Sequence, residues 1–325
     1  MAQNSSKIIS IKAHARLHFG FFDLHGGLGR KFGSLGVALD ELATEMEISL
    51  ADELSIVGDI DVKSRENIIK SIQLLEKELN LQISCELNVC QQIPSHAGFG
   101  SGTQMALCLV ALINQLYDLN LSQTQVSLLS GRGARSGIGL GTFFQGGVIV
   151  DAGRGDANQI PPVIARVNFP EEWRILLIFD HSKQGVHGEQ EVVAFQNLPE
   201  FSSSLAEKLC RHVLMQALPA LHEHDLTNFG LAVRALQIAT GEHFANTQGG
   251  LYASQKVAGV LNYMENQGVA CFGQSSWGPT GFAVFESEAE AKIFLTQLKD
   301  HFNFQADLKF MLTKAANRGA TVITK

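Results

Sequence analysis

The sequence predicts an α+β protein of two domains. Three observations carry that reading. The chain has 325 residues, a length that suits two domains of ordinary size. Strand patterns mix with runs of helix instead of alternating in regular βαβ units. The segment Asn158 to Arg166, with Pro161-Pro162, reads as a junction, which divides the chain into residues 1–160 and 161–325. A hydrophobic fraction of 45% against 18% charged residues is that of a globular chain able to enclose a site.

Each element has its own signal. Residues 8–19 alternate, with Ile9, Ile11, Ala13, Ala15, Leu17 and Phe19 on one face and Ser10, Lys12, His14, Arg16 and His18 on the other, so a half-buried strand is expected. Gly26, Gly27, Gly29 and Gly33 mark a loop carrying Arg30 and Lys31; strands follow at 35–39 and 43–57. Glu66 to Leu79 is an amphipathic helix and Leu81 to Val89 a strand. Thr103 to Tyr117 is apolar nearly all round, which predicts a central buried helix. Ser122 to Ser130 is a second helix, and the glycine-dense stretch 131–155 holds a strand at 148–150. The second half opens on a strand at 173–179. Helices follow at 200–240 and 250–267, a strand at 269–272, a loop at 273–281, a strand at 282–286, a helix at 287–299 and terminal strands.

Bulk properties narrow the function. A net charge of -7 argues against broad binding to nucleic acid or an anionic membrane, although a local pocket can still be basic. The start is polar, with no signal-peptide layout, and no apolar run reaches the roughly 18 residues of a membrane span. Five cysteines, with no Cys-x-x-Cys, fit a reduced, cytoplasmic setting.

The chemistry centres on Pro94-Ser95-His96-Ala97-Gly98-Phe99-Gly100-Ser101-Gly102-Thr103-Gln104, a turn that leads into the apolar helix. Its glycines permit positive φ and close approach of a ligand. The amides at a helix start favour an anion, and Ser101 and Thr103 add hydroxyl donors. The plainer alternative is a tight turn with no ligand. It is not a Walker A loop, since no Gly-Lys-Ser/Thr closes it, and no acidic ribose reader follows to make it a dinucleotide site.

This turn resembles the Pro-x-x-x-Gly-Leu-Gly-Ser-Ser loop of the GHMP kinase superfamily. Ser136-Gly137 followed by Gly146-Gly147, and Gln274-Ser275-Ser276-Trp277-Gly278-Pro279-Thr280-Gly281, are similar to that superfamily's two later motifs, in the same order. The resemblance implies a GHMP-type two-domain fold: an N-terminal domain like ribosomal protein S5 domain 2 and a ferredoxin-like C-terminal domain. Two positions depart from the kinases. Gly102 replaces the second loop serine, and Gly139 replaces the catalytic Asp of Ser-Gly-x-Asp. Loss of a general base typically costs about 10²–10⁴ in rate.

What remains resembles the β-ribofuranosylaminobenzene 5'-phosphate synthase branch. The matching segments are Ala15-Arg16-Leu17-His18-Phe19-Gly20, Gly131 to Gly139, and His181 to Glu189. The resemblance implies condensation of phosphoribosyl pyrophosphate with 4-aminobenzoate, or 4-hydroxybenzoate, releasing CO2 and pyrophosphate in tetrahydromethanopterin biosynthesis. It also implies Mg2+ and a homodimer. The alternative is an ATP-dependent small-molecule kinase of the same superfamily.

The candidate residues follow. Arg16 and His18 share a strand face and are taken to meet an anionic group, with exposed strand positions as the rival reading. Arg135 suits a phosphate, the aminobenzoate carboxylate or a structural ion pair. Gly98, Gly100, Ser101, Gly102, Thr103, Gln104, Ser136 and Gly137 form the expected phosphate and substrate site; Gly278 joins them from the later motif. Trp277 suits an aromatic substrate or plain packing. Asp151, at a strand end, suits either a magnesium ligand or the start of a turn. Arg30 and Lys31 suit either phosphate closure or a solvated loop. His181, His187 and Glu189 lack a standard zinc spacing.

Overall fold

The computed structural model describes residues 7–58, 60–155, 160–183, 185, 198–276 and 278–325. The first half contains β1 (Ile9–Asp23), β2 (Arg30–Lys31), β3 (Gly33–Leu50), β4 (Ser55–Gly58), α1 (Val62–Leu79), β5 (Cys85–Gln91), α2 (Ser101–Leu116), α3 (Gln123–Leu129), α4 (Ile138–Gln145), β6 (Val148–Asp151), β7 (Arg154–Gly155) and β8 (Val163–Val167). The second half contains β9 (Arg174–Asp180), α5 (Ser203–His212), a π-helical turn at Val213–Ala217, α6 (Leu218–Glu223), α7 (Leu226–Gln248), α8 (Gln255–Asn266), β10 (Cys271–Gln274), β11 (Gly281–Phe285), α9 (Glu288–His301), β12 (Leu308–Thr313) and β13 (Thr321–Thr324).

β1 runs through the middle of the molecule, and its alternation is as expected: Ile9, Ala13, Ala15, Leu17 and Phe19 are fully buried. The opposite face is not open, because His14 and His18 are buried as well. A β-bulge at His14/Ala15 explains the difference. Before it, Ile9, Ile11 and Ala13 pack with Ile68 of α1 and Leu107 of α2. After it, Ala15, Leu17 and Phe19 join a second core with Phe229 and Leu236 of α7. One strand therefore serves two cores, with helices packed on both of its sides.

The first sheet runs β13-β1-β3-β5-β4, with β6 joined to β3 and β8 to β6. Its pairs are antiparallel except β4 with β5. The second sheet has the order β10-β11-β9-β12, all antiparallel. Numbered within that half, this is the order of a ferredoxin-like sheet. Among the described residues, no helix is long and apolar enough to cross a membrane.

Four features depart from the sequence reading. The strand expected over 43–57 breaks after Leu50, and Ser55–Gly58 is a separate strand, parallel to β5. β3 is continuous through Asp40, because Asp40 N–H donates to Lys314 O and Ala316 N–H to Ala38 O, so the returning C-terminal segment supports its middle. α4 is a helix despite Gly139 and Gly141, which poor helix propensity hides. These glycines serve close packing: a Cβ at Gly141 would lie 2.6 Å from the Ile149 side chain. Pro161-Pro162 lies between paired strands β6 and β8, so the first sheet extends past 160 and regains the chain at β13.

The larger core includes Leu17, Leu35 and Val150 from the first sheet together with Trp173 and Phe282 from the second. Phe229 sits at its centre, edge-on to Phe19 at 5.5 Å. Phe229→Ala is expected to cost about 3–5 kcal/mol and to weaken both halves in a single transition. Urea unfolding followed by fluorescence and circular dichroism checks this.

Candidate functional site

The turn between β5 and α2 is pinned from two directions. Gly98 O accepts from the Arg16 guanidinium of β1 and from Ser275 Oγ at 2.7 Å, just after β10. Arg16 N–H donates to Phe99 O at 3.0 Å, and His18 N–H donates to Ser275 Oγ at 3.2 Å. Gly98 and Gly100 have φ of 82° and 75°, where a side chain is strained. At Gly98 there is no room for one either. A Cβ at Gly98 would lie 2.3 Å from Ser275 O, and one at Gly278 would lie 2.5 Å from the Ala97 backbone. Phe99 is buried beneath the turn against Phe179. Thr103 and Gln104 donate their N–H groups to Gly100 O, which leaves the first-turn amides of Ser101 and Gly102 for a ligand.

This turn floors a cleft of about 810 Å3. Its other walls are the polar face of α1 (Lys63, Asn67, Lys70), Arg16, Arg132, Arg135, Ser276 and Gly278. Among the described lining residues five are Lys or Arg, and Asp61 alone is a carboxylate. Asp61 is engaged as the N-cap of α1, accepting from Ser64 N–H at 2.9 Å and Ser64 Oγ at 2.6 Å, and those bonds hold its pKa below the ordinary value. A chain of net charge -7 thus carries a strongly basic pocket.

Arg16, Arg135, Gly98, Gly100, Ser101, Gly102, Thr103 and Gly278 all line the cleft. The structure sets five other candidates apart from it. His18 is buried behind the turn; burial and the Arg16 charge push its pKa down to about 3. Both effects favour the neutral imidazole, which lacks the charge to form an ion pair with an anionic group. Its Nε2 has no partner among the described residues, and its ring lines a cavity of about 20 Å3, the size of one water, with Gln237 and Thr240. Gln104 is fully buried and ties α2 to α4 through Gly139 O at 2.9 Å.

Ser136 and Gly137 form the start of α4, where Ser136 Oγ accepts from Ile138 N–H and a Cβ at Gly137 would meet Pro161 at 2.9 Å. Asp151 is fully buried, away from the cleft. Its carboxylate accepts from Ser34 Oγ at 2.5 Å, Gly153 N–H at 2.8 Å and Ser136 Oγ at 3.2 Å. This is the turn-starting reading of Asp151, since internal donors occupy the oxygens that a metal would need. Burial still outweighs those donors and raises its pKa to about 6. Arg30 bonds Ala152 O and Gly153 O and so braces the β2–β7 pair rather than reaching a phosphate. Trp277, His187 and Glu189 lie outside the described residues.

Three cleft cations escaped the sequence reading: Lys63, Lys70 and Arg132. The α1 lysines lie on a helix face that looks like ordinary solvated surface. Arg132 had a signal, since Gly131 and Gly133 flank it and both adopt positive φ. It keeps solvent access through the cleft, yet enough protein surrounds it for desolvation to lower its pKa. Its guanidinium has no hydrogen bond or ion pair among the described residues. The kinase-specific positions are also explicit. A Cβ at Gly139 would lie 2.9 Å from the Thr103 methyl, so the place of the missing carboxylate is filled. A Cβ at Gly102 would make only ordinary contact, 3.7 Å from Arg132 Nη2.

Magnesium sites usually combine one or two carboxylates with substrate phosphates. Among the described residues, no group of three or more His, Cys, Asp or Glu is placed to hold a metal ion. The cleft offers the Ser101 and Thr103 hydroxyls and the capping Asp61. That donor set suits an ion carried mainly by a ligand's own phosphates.

The fold agrees with the family comparisons. Models described as GHMP kinases N terminal domain and GHMP kinases C terminal match residues 66–146 and 217–303. A homoserine kinase structure from Cytophaga hutchinsonii superposes over 99% of both chains with a TM-score of 0.69; at 17% identity it speaks for the fold alone. Sequence relatives are nearer. A beta-ribofuranosylphenol 5'-phosphate synthase from Archaeoglobus fulgidus is 30% identical over 97% of this chain and 99% of its own. One of the same name from Methanothermobacter thermautotrophicus is 29% identical over 86% of this chain and 89% of its own. The chain belongs to the GHMP kinase superfamily, in the branch that holds these synthases.

Two variants test the site geometry. Gly98→Ala must strain the turn and displace Ser275, so a loss of anion affinity of about tenfold or more is expected, measured by calorimetric titration with inorganic phosphate compounds. Asp151→Asn tests the buried carboxyl. Its folded-state pKa is raised, so its contribution to stability is full below the ordinary value of 3.8 and fades as the pH climbs to about 6. The wild-type advantage in Tm over the variant is therefore expected to shrink between about pH 4 and 6, with the Mg2+ dependence of activity unchanged. Thermal melts across that range check the sign.

Proposed function

We propose that this chain is a C-riboside 5'-phosphate synthase. It joins the ribose C1 of phosphoribosyl pyrophosphate to the ring carbon of a 4-substituted benzoate, with loss of CO2 and pyrophosphate. The observation that carries the reading is Gly139 with Thr103 packed into its side-chain space. The superfamily's kinases usually carry their catalytic carboxylate there, and the cleft has no free one among its described residues.

The proposed reaction needs no protein base. The C1–O bond breaks and pyrophosphate leaves with the electron pair. The carboxylate-bearing ring carbon, made electron-rich by its para substituent, forms the new bond to C1. The ring-to-carboxylate bond then breaks; its electrons restore aromaticity and CO2 departs. The negative charge of the carboxylate ends on pyrophosphate, and no net proton moves. What the protein must supply is charge neutralisation at the leaving group and alignment of the two partners. The Ser101 and Gly102 amides and the arginines of the cleft meet the first demand. Mg2+ belongs to this reading as the companion of the substrate's phosphates, where it would add neutralising charge. The relatives are named for a phenol product, which puts 4-hydroxybenzoate ahead of 4-aminobenzoate as the aromatic partner. A homodimer also belongs to the reading and is checked by light scattering.

The test is a direct assay of purified chain with phosphoribosyl pyrophosphate, Mg2+ and carboxyl-labelled 4-hydroxybenzoate, run beside 4-aminobenzoate. Equal amounts of labelled CO2 and pyrophosphate are expected. ATP turnover on an alcohol acceptor, without CO2 from either acid, would instead establish the kinase alternative.

A further inference from the structure

Gly102 is unusual for a reason other than backbone conformation. It lies in the first turn of α2, and its φ is not among the positive values of the chain. Glycine within a helix is unfavourable by about 1 kcal/mol relative to alanine, so its presence calls for a cause. The nearest atoms to a Cβ built there are Nη2, Nη1 and Cζ of Arg132, at 3.7, 3.8 and 3.9 Å. The guanidinium therefore faces the open side of Gly102 in the first turn of α2. A longer side chain at 102 would reach from that Cβ toward the guanidinium or into the space in front of it.

Arg132 is also held for this position. It sits on the α3–α4 connection between Gly131 (φ 63°) and Gly133 (φ 87°), two left-handed residues that set the direction of the chain. A Cβ at Gly133 would lie 2.6 Å from Leu140, so the connection packs tightly there. The guanidinium has no acceptor among the described residues and stays open to solvent through the cleft, where an anion can reach it. A guanidinium fork beside helix-start amides matches the paired oxygens of a phosphate group.

We infer that Arg132 binds the diphosphate of the substrate over Gly102, as a binding and positioning residue for the leaving pyrophosphate. The inference rests on the synthase reading and deepens it. It also gives Gly102 a purpose: where a kinase keeps a serine, this chain keeps clear space for a cation brought by another segment.

The probe is inorganic pyrophosphate, titrated by calorimetry into the full chain with and without Mg2+, for wild type, Arg132→Gln and Arg132→Lys. Loss of a charge-assisted pair is expected to weaken pyrophosphate binding about 10- to 100-fold in Arg132→Gln, with partial recovery in Arg132→Lys. The KM for phosphoribosyl pyrophosphate should rise by a similar factor, while the KM for 4-hydroxybenzoate stays near wild type. Tm should hardly move, because the side chain has no internal partner to lose. Unchanged pyrophosphate affinity in Arg132→Gln, in a wild type that releases CO2, overturns the inference and leaves the synthase reading standing. Equal loss of affinity for both substrates also overturns it. A wild type that neither binds pyrophosphate nor releases CO2 removes the synthase reading, and this inference with it.

Discussion

The site depends on one carbonyl. Gly98 O is held by the Arg16 guanidinium from the first sheet and by Ser275 Oγ from the loop after β10 in the second. Ser275 in turn accepts from His18 N–H, so the two sheets share one chain of hydrogen bonds. With that oxygen turned inward, the turn enters α2 through left-handed Gly98 and Gly100 and presents the first-turn amides outward. At Gly98 the Ser275 backbone occupies the space of a side chain, and at Gly100 a side chain would be strained by the positive φ and crowded by the Arg16 side chain. The larger core, which joins both halves around Phe229, keeps the two donors in register with the turn.

Electrostatics then decide the chemistry. Five basic side chains and one already-bonded carboxylate line the cleft among its described residues. Such a wall can neutralise departing pyrophosphate, but it offers no free carboxylate to take a proton. Two titratable groups that the sequence suggested for the site, His18 and Asp151, stand apart from that wall. His18 is kept neutral by burial, and Asp151 is enclosed by Ser34, Ser136 and Gly153. The decarboxylating C–C coupling is a reaction that such a site can run, because its electrons and charges balance without a protein base.

Much of this was legible in the sequence. The alternation of β1, the apolar α2 and the glycine turn have local signatures, and the motif order marks the superfamily. The failures share a cause. His18 and Gln104 look like site residues because they adjoin the motif, yet a helix packed on the far side of β1 buries the first and a bond to α4 claims the second. Strand alternation does not reveal that both faces are covered. α4 was hidden because its glycines depress helix propensity while allowing Thr103 and Ile149 to pack close. Lys63, Lys70 and Arg132 reach the cleft only through tertiary contacts, about which local pattern is silent.

The central claim is that the amides at the start of α2 receive the diphosphate of a ribose substrate. The most direct measurement is a crystal structure of the chain with phosphoribosyl pyrophosphate and Mg2+, without the aromatic acid. The account predicts diphosphate oxygens at about 3 Å from the Ser101 and Gly102 nitrogens. A diphosphate seated against α1 with those amides left to water would contradict it.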